Sequence, residues 1–474
     1  MRGVIWFRSD LRIDDNPALL EATKVCDELI GIYAFSQHQW DKHNESNVKQ
    51  DFAIQNLTKL ESNLSQLNIP LILLNIVSFE TLPKELLSFF RSNDIKACFY
   101  NKEFGANENQ RDQNVINLFS KNKIKVSSFH DQVIYEPGFL KTGQGKPFSV
   151  FTPFKRRWVE NFSMDFLDID YVIPPLKKPS QLKSNLKQLN FFKSHTVDMT
   201  IWEPGEIAAQ QRLNSFLNNK VEDYSDSRNI PIINGTSRIS PYLALGIISP
   251  RRCILEALKM NNFEFNSGSK GLCKWIDEIV WREFYRNIMH SFPRVSMNKP
   301  FQNYTNSIQW RYSESELKSF YQGNTGFPII DAGIRQMLAE GWMHNRLRMI
   351  VAMFFTKNML HDWRLGEKFF MENLIDGDFS SNNGGWQWSS STGTDAAPYF
   401  RIFNPITQSQ NFDPTGEFIK KFVPELNDVP VKKIHQPAED LFSSYDYPKP
   451  ILDLKDSRQR AISAFKEARD SSTI

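Results

Sequence analysis

Cysteine is scarce in this chain: there are four, Cys26, Cys98, Cys253 and Cys273, in 474 residues. None stands in a CxxC pair and no metal-ligand cluster surrounds them. That argues against a disulfide scaffold and a bound metal, and for reduced thiols in a cytosolic setting. No apolar run approaches ~20 residues, so no membrane span is expected. The opening MRGVIWFRSDLR is broken by charge too early for a secretory signal. After the first apolar run there is no GxGxxG; RSDLR stands there instead, which argues against a dinucleotide site of the usual Rossmann kind in this half. An excess of one charge is missing too. The net charge of +3 is too small to establish binding to a polyanion, so any such field must be local. No internal repeat or low-complexity tract is visible, and no long tail is expected beyond KEARDSSTI.

What is present is a long chain with a heavy aromatic load. Its length exceeds one typical core, so two domains are expected. A hydrophobic fraction of 41% and a charged fraction of 23% are those of a soluble globular protein. Thirty-eight phenylalanines and eleven tryptophans can furnish both cores and stacking surfaces.

The first ~130 residues alternate between short apolar runs and helical periodicity. Val4–Phe7, Leu29–Phe35, Leu71–Leu74, Ala97–Tyr100 and Lys125–Phe129 read as buried strands. Asn16-Pro17 opens a helix through Ala22, with proline suited to a first turn. Helical patterns fill Gln50–Leu67, Phe79–Asn93 and Asn107–Lys121. This alternation predicts an α/β domain, a doubly wound, Rossmann-like parallel sheet, over residues 1–132. Residues 133–200 gather prolines and lysines as an interdomain linker does, except at FTPFKRRW (151–158), where aromatic and basic residues interleave. Residues 201–474 read as an all-α domain. In it Pro328–Trp342 puts Ile330, Ile334, Met337 and Leu338 on one face, and Met343–Phe355 continues similarly.

The most informative stretch is DGDFSSNNGGWQW, from Asp376 to Trp388, running on through STGTDAAPYFRIFNP. Gly384 and Gly385 permit close approach of backbone to a ligand. Asn382 and Asn383 supply donors and acceptors at fixed points, and Trp386 and Trp388 add flat surfaces. The combination suits an organic cofactor with a hydrogen-bonded edge, beside a flat substrate. GTSRISPYLALG (235–246), WIDEIVWREFYRN (275–287) and GWMHNRLRMIVA (341–352) join it. On helices, Trp275, Glu278 and Arg282 fall near one line with Trp281 beside them, and Asn345, Arg348 and Met349 share a face.

Together these strings resemble the photolyase and cryptochrome family over nearly the whole chain, nearest to the cyclobutane pyrimidine dimer photolyases of the bacterial folate type. The resemblance implies flavin adenine dinucleotide (FAD), reduced and anionic in the active state, held in the helical domain. Tyr224 and Thr236, Ser237, Arg238, Ile239 and Ser240 would bind its phosphates, a role that hydroxyls, N–H groups and a guanidinium suit. Trp275, Arg282, Asn345, Arg348, Asp376, Gly377 and Asp378 would complete the cofactor site, with Arg348 pairing Asp376. Asn382 would face flavin N5.

The implied substrate is UV-damaged DNA whose dimer is flipped out of the stack, photolyases being among the standard cases of base flipping. Trp281 and Trp388 would wall the flipped dimer, Glu278 and Asn345 would bond its base edges, and Met349 matches the dimer-repairing enzymes. Arg228, Arg346, Arg401 and Gln408 would contact flanking phosphates. Trp310, Trp363 and Trp386, in IQW, HDW and GGWQW, match the family's electron relay. His43-Asn44, Asn107 and Glu108 resemble positions that hold a methenyltetrahydrofolate antenna. Ser296 and Met297 stand where folate-type relatives often carry cysteine and lysine, which leaves a deazaflavin or no antenna as alternatives. The implied activity is light-driven splitting of cyclobutane pyrimidine dimers by electron transfer from excited reduced FAD, a carbon–carbon lyase reaction. The protein is expected to be a cytoplasmic monomer with access to the chromosome. The alternative is a cryptochrome-type blue-light photoreceptor without repair activity. It would share fold, flavin and relay, and Met349 and the pairing of Trp281 with Trp388 speak against it.

Overall fold

The computed structural model describes residues 1–186, 195–437 and 446–471. These residues form two compact units, each taken by itself below. One comprises Met1–Ser194, Trp202–Asn219 and Ser237–Ser296; the other comprises His195–Ile201, Lys220–Thr236 and Met297–Ile474.

The first unit is built on five parallel strands, β1 (Arg2–Phe7), β2 (Glu28–Phe35), β3 (Leu71–Asn75), β4 (Ala97–Asn101) and β5 (Lys125–Phe129). Their order is β3-β2-β1-β4-β5, with Val4 opposite Ile30 on one side and Cys98 on the other. The expected strands agree within two residues at either end. The inner strands are buried on both faces, which is why they read as continuous apolar runs rather than alternating ones. Asn16 caps the helix Pro17–Val25 by accepting from the Leu19 N–H, with proline in the first turn. The helices Leu82–Ser92 and Ala106–Lys121 bring Leu86, Phe90, Val115 and Phe119 onto Val4, Ile30, Ile32 and Cys98 as one core. The strand order reverses between β1 and β4, the point at which doubly wound sheets open a crevice. FTPFKRRW forms a helix, Phe151–Glu160, that buries Phe151, Phe154 and Trp158 on one stripe.

The second unit is helical. Its core joins Ile330, Ile334, Met337, Leu347, Val351, Phe355 and Phe370 with Trp363 and Trp386. Three helix ends differ from the sequence expectation. The helix predicted to reach Trp342 ends at Glu340, because Gly341 takes a left-handed conformation (φ 65°) that closes the C-terminus. The next helix starts at Asn345, not Met343, since His344 caps it, and its last expected residues, Phe354 and Phe355, pass into a π turn, Phe354–Asn358.

No helix among the described residues is long and apolar enough to cross a membrane. Those residues contain no group of three or more His, Cys, Asp or Glu side chains able to hold a metal ion. Cys26, Cys98 and Cys253 are buried free thiols, and Cys273 is a half-buried one.

Candidate cofactor and nucleic-acid sites

In the first unit the helix Lys270–Ser291 carries the WIDEIVWREFYRN residues, its N-terminus capped by Ser269. Trp275 is buried; its indole N–H donates to the Ser237 hydroxyl at 3.3 Å and its ring packs on Phe216. Glu278, Trp281 and Arg282 are half-buried. The Arg282 guanidinium donates to the carbonyls of Gln132, at 2.5 Å, and Leu243, at 3.0 Å, so it also braces the chain around it. Arg238 sits at φ 48°, a conformation that costs a residue with a Cβ about 1 kcal/mol or more. Ile239 is buried and Ser240 begins a short helix, Ser240–Ala244.

Next to Arg282, Glu283 is fully buried and accepts three hydrogen bonds, from the Ile134 and Tyr135 N–H groups and the Trp158 indole, at 2.7 to 3.1 Å. Burial still dominates and pushes its carboxyl up to about 7.

A cavity of about 140 Å³ lies at the carboxyl ends of β1 and β2, beside the turn after β4. Trp6, Tyr33, Trp40 and Phe79 give it flat walls, Arg8, Glu103, Glu108 and Arg111 give it charge, and His43 adds an imidazole. His43 lies 3.4 Å from the Asn107 amide and 3.7 Å from the Glu108 carboxyl, so the expected antenna residues do converge. Burial, then the nearby Glu103, raises the Glu108 carboxyl. Burial pushes Glu103 up as well, but Arg111 and Arg8 outweigh it and hold it at about 2.

In the second unit the helix Phe379–Ser389 presents the opening motif. Asp378 caps it, accepting from the Ser381 N–H and hydroxyl at 2.9 and 2.7 Å. Asp376 is buried and receives one nitrogen of the Arg348 guanidinium on both carboxylate oxygens, at 2.9 and 2.8 Å. Arg348 is held in turn by the Met343 carbonyl at 2.8 Å. Gly377, the next residue along the chain from Asp376, is buried. Asn345 is exposed and Met349 half-buried on the helical face that Arg348 shares.

Asn382 is buried and its amide nitrogen donates to Glu367, to the backbone carbonyl at 2.9 Å and to the carboxyl at 3.3 Å. Its Oδ1 has no donor among the described residues. One turn on, Trp386 points into the core; a spacing of two sends Trp388 to the opposite side, where it is half-buried. Trp386 lies over Gly366, where an added Cβ would fall 2.2 Å from the indole ring. Trp363 begins that same helix, Trp363–Met371, one turn before Gly366, so the two indoles occupy one cluster. Trp310 packs on the cluster's edge, half-exposed. The three expected relay residues thus run from the core toward the surface.

The expected phosphate-binding arginines also meet. Arg346 donates to Asn229 at 2.7 Å and lies 4.3 Å over the Phe412 ring, one turn along its helix from Gln408. Burial, then the charges of Arg228 and Arg401, depress the Arg346 guanidinium. Arg228 rests 5.5 Å over the ring of the buried Tyr224.

Two residues of these sites escaped the sequence reading. Phe151 stacks on Trp281, and Glu367 holds Asn382. Glu367 did leave a trace: it is a lone acid four residues after Trp363, on the face its helix buries.

Comparison with known proteins identifies the family. Residues 3–181 match the family model described as DNA photolyase, and residues 275–467 that described as the FAD binding domain of DNA photolyase. The deoxyribodipyrimidine photo-lyase of Salmonella typhimurium is 38% identical over 98% of this chain and 98% of its own. The crystal structure of a class III photolyase from Agrobacterium tumefaciens superposes with a TM-score of 0.89 at 32% identity, over 99% of this chain and 98% of that one. A cryptochrome from Synechocystis shares the fold, with a TM-score of 0.85 at 24% identity over 98% of this chain and 99% of that one.

Proposed function

The chain belongs to the DNA photolyase family, and from that premise we propose a light-driven DNA repair enzyme, a carbon–carbon lyase that splits cyclobutane pyrimidine dimers. The observation that carries this reading is Arg346, held by Asn229 and laid over Phe412, where burial and then the charges of Arg228 and Arg401 depress its guanidinium. Arginines gathered in one region suit the phosphate backbone of a nucleic acid. A photoreceptor without repair activity has no use for such a cluster, whereas fold and flavin do not discriminate the two.

The polar groups suit FAD. Asp376 with Arg348, and the unoccupied Oδ1 of Asn382, offer a fixed charge pair and an acceptor on neighbouring segments. The chemistry FAD supplies, when bound reduced and anionic, is light-driven donation of one electron to the dimer and its recovery once the cyclobutane ring has opened. The chain's own residues would do the rest. Tyr224, Thr236, Ser237, Arg238, Ile239 and Ser240 hold the phosphates, while Trp275, Arg282, Asn345, Gly377 and Asp378 line the cofactor. Asn382 accepts a hydrogen bond at N5. Glu278 and Asn345 bond the base edges of the flipped dimer, and Glu278 as an acid stabilises the charge that develops there. Trp281, Met349 and Trp388 exclude water around it. Trp386, Trp363 and Trp310 would relay electrons from an external reductant toward the cofactor.

We further assign residues 1–132 to an antenna domain, 133–200 to a linker and 201–474 to the FAD-binding domain. The cavity lined by His43 and Glu108, with Asn107 in reach of His43, supports an antenna, methenyltetrahydrofolate before a deazaflavin: buried carboxyls suit a ring edge rich in N–H donors. The protein is taken as a cytoplasmic monomer.

The test uses chemically reduced protein with one duplex bearing a thymine cyclobutane dimer and another bearing a six–four product, with and without blue light. Light-dependent recovery of thymines from the first alone is expected. Failure on both, with FAD bound and reduced, would return the photoreceptor reading.

A further inference from the structure

Lys357 has no part in the chemistry described so far, and it occupies a place where a lysine is rarely found. It stands in the π turn Phe354–Asn358 with none of its surface exposed. Burial depresses its amine well below the usual lysine range, and no carboxylate among the described residues is paired with it. A buried amine is costly unless its hydrogens find acceptors.

Those acceptors are two oxygens of one loop, with an aromatic ring beside them. The Lys357 Nζ donates to the Ser391 hydroxyl oxygen at 2.7 Å and to the Tyr399 carbonyl at 3.3 Å. It also lies 3.8 Å from the centre of the Phe465 ring. The polarity of both bonds is fixed. A carbonyl only accepts, and the Ser391 hydroxyl gives its own hydrogen to the Ala397 carbonyl at 2.6 Å, so its oxygen accepts from the lysine. Two hydrogens suffice, so a neutral amine makes these bonds as an ammonium would. An apolar side chain at 357 would fill the space without that demand, but it could not tie the loop.

The loop so tied, residues 391–399, leaves the helix Phe379–Ser389 and folds back on its end. There the Trp388 carbonyl accepts from the Ser391 and Ala397 N–H groups at 3.3 and 3.2 Å. Lys357 joins Ser391 to Tyr399 from the core side. A tight turn follows at once, with the Arg401 N–H on the Pro398 carbonyl at 2.9 Å, and Phe400 and Arg401 stand exposed on it. The π turn itself is anchored. Asn358 donates its amide to Ser457 at 3.2 Å and receives Arg460 on its carbonyl at 2.7 Å, both from the helix Leu454–Ser471 that carries Phe465.

Resting on the reading that Arg401 contacts a phosphate beside the lesion, we propose that Lys357 is a positioning residue that clasps the loop 391–399 and so presents Arg401 to the DNA backbone in a fixed place. Without the clasp the loop would still carry the arginine, but as a loose charge that must be ordered on binding.

The test is the dark affinity of FAD-loaded protein for dimer-containing duplex across a salt series. Lys357→Met removes the clasp and keeps most of the volume. It should weaken binding and make the slope of log affinity against log salt shallower by about 0.9, one phosphate contact. A fully buried amine cannot reach a phosphate itself, and a role confined to stability would leave that slope alone. Arg401→Gln should lose the same slope, and Lys357→Met added to it should lose no more. Ser391→Ala breaks the clasp without emptying the core; it should shift the slope in the same direction, and it is read alone should the methionine variant not fold. Slopes unchanged by Lys357→Met and Ser391→Ala, where Arg401→Gln lowers its own, overturn the clasp and leave Arg401 on the DNA. A slope unchanged by Arg401→Gln overturns the placement of Arg401, and the clasp with it.

Discussion

The indole of Trp281 lies flat on the ring of Phe151, with centroids 3.6 Å apart and planes 7° from parallel. Phe284 meets both rings edge-on at 5.9 and 5.6 Å, so one face of Trp281 is taken and its tilt is set. What remains of the half-buried indole is a rigid apolar surface suited to a flat base. Trp281→Ala should weaken binding to dimer-containing duplex by ~1–3 kcal/mol, the worth of one base–aromatic stack. Phe151→Leu should lose a smaller part, because the indole survives but can tip. Dark titration with labelled duplex measures both, and an unchanged Kd in Trp281→Ala removes that residue from the interface.

Trp386 is buried, and its indole N–H has no acceptor among the described residues. An indole that cannot pass on its proton when oxidised keeps a mobile positive charge, which the neighbouring indoles can take up. Trp386→Phe should therefore impair photoreduction of oxidised flavin yet leave repair by chemically reduced protein intact. Gly366→Ala should impair it in the same direction, since its Cβ has no room beneath the ring. Flavin absorbance under blue light with an added reductant reads both variants, and normal photoreduction in Trp386→Phe takes it out of the relay.

Much of this was legible beforehand. Inner strands such as Arg2–Phe7 announced themselves by apolar runs between helical patterns, because a sheet covered on both faces demands them. The pairing of Arg348 with Asp376 was legible only through resemblance, since nothing in the spacing of a helical residue and one in a distant turn brings them together. Phe151, noted only as part of FTPFKRRW, and Glu367 were not read as site residues. Each acts through a contact between segments remote in sequence, Phe151 on Trp281 and Glu367 on Asn382, and single-chain periodicity carries no signal for such pairs. The π turn at Phe354–Asn358 was missed for a related reason: its composition is that of the helix it continues.

Glu278 shares its helix with Trp281, one turn after Trp275, and is half-buried. A hydrogen bond from this group to a base edge counts most when charge develops there. Glu278→Ala should accordingly lower repair per absorbed photon while FAD content stays near that of the parent. Quantum yield with chemically reduced protein is the measurement, and an unchanged yield means Glu278 does not touch the reacting bases.

Glu283, one residue beyond Arg282, makes stability depend on pH. Its carboxyl is raised in the folded protein from 4.5 to about 7, chiefly by burial. The folded state holds a proton that the unfolded state has lost, so stability is greatest below about pH 4.5 from this group, falls as pH rises between the two values, and is lower throughout above about 7. The whole effect is ~3 kcal/mol at most. Glu283→Gln cannot titrate, and its amide nitrogen faces at least one of the three donors from Ile134, Tyr135 and Trp158. It should be less stable than the parent in acid but flatter across this window. Urea midpoints at a series of pH values compare the slopes, and parallel profiles would assign the raised group elsewhere.

Arg346 is prepared for an anion before one arrives. Asn229 fixes one end of its guanidinium, the Phe412 ring supports its plane, and Arg228 and Arg401 oppose its charge. A bound phosphate relieves that repulsion as well as pairing directly, so the three arginines should act together rather than additively. Arg346→Gln should weaken damaged and undamaged duplex by similar factors, because phosphates carry no sequence information. It should also make the slope of log affinity against log salt shallower by about 0.9, one phosphate contact on B-form DNA. Arg346→Lys should recover the salt slope but only part of the affinity, since a point charge on a flexible stem loses the support of Phe412 and the fork that Asn229 holds. Binding isotherms across a salt series separate these outcomes. A steeper loss for damaged than for undamaged duplex would instead place Arg346 against the lesion.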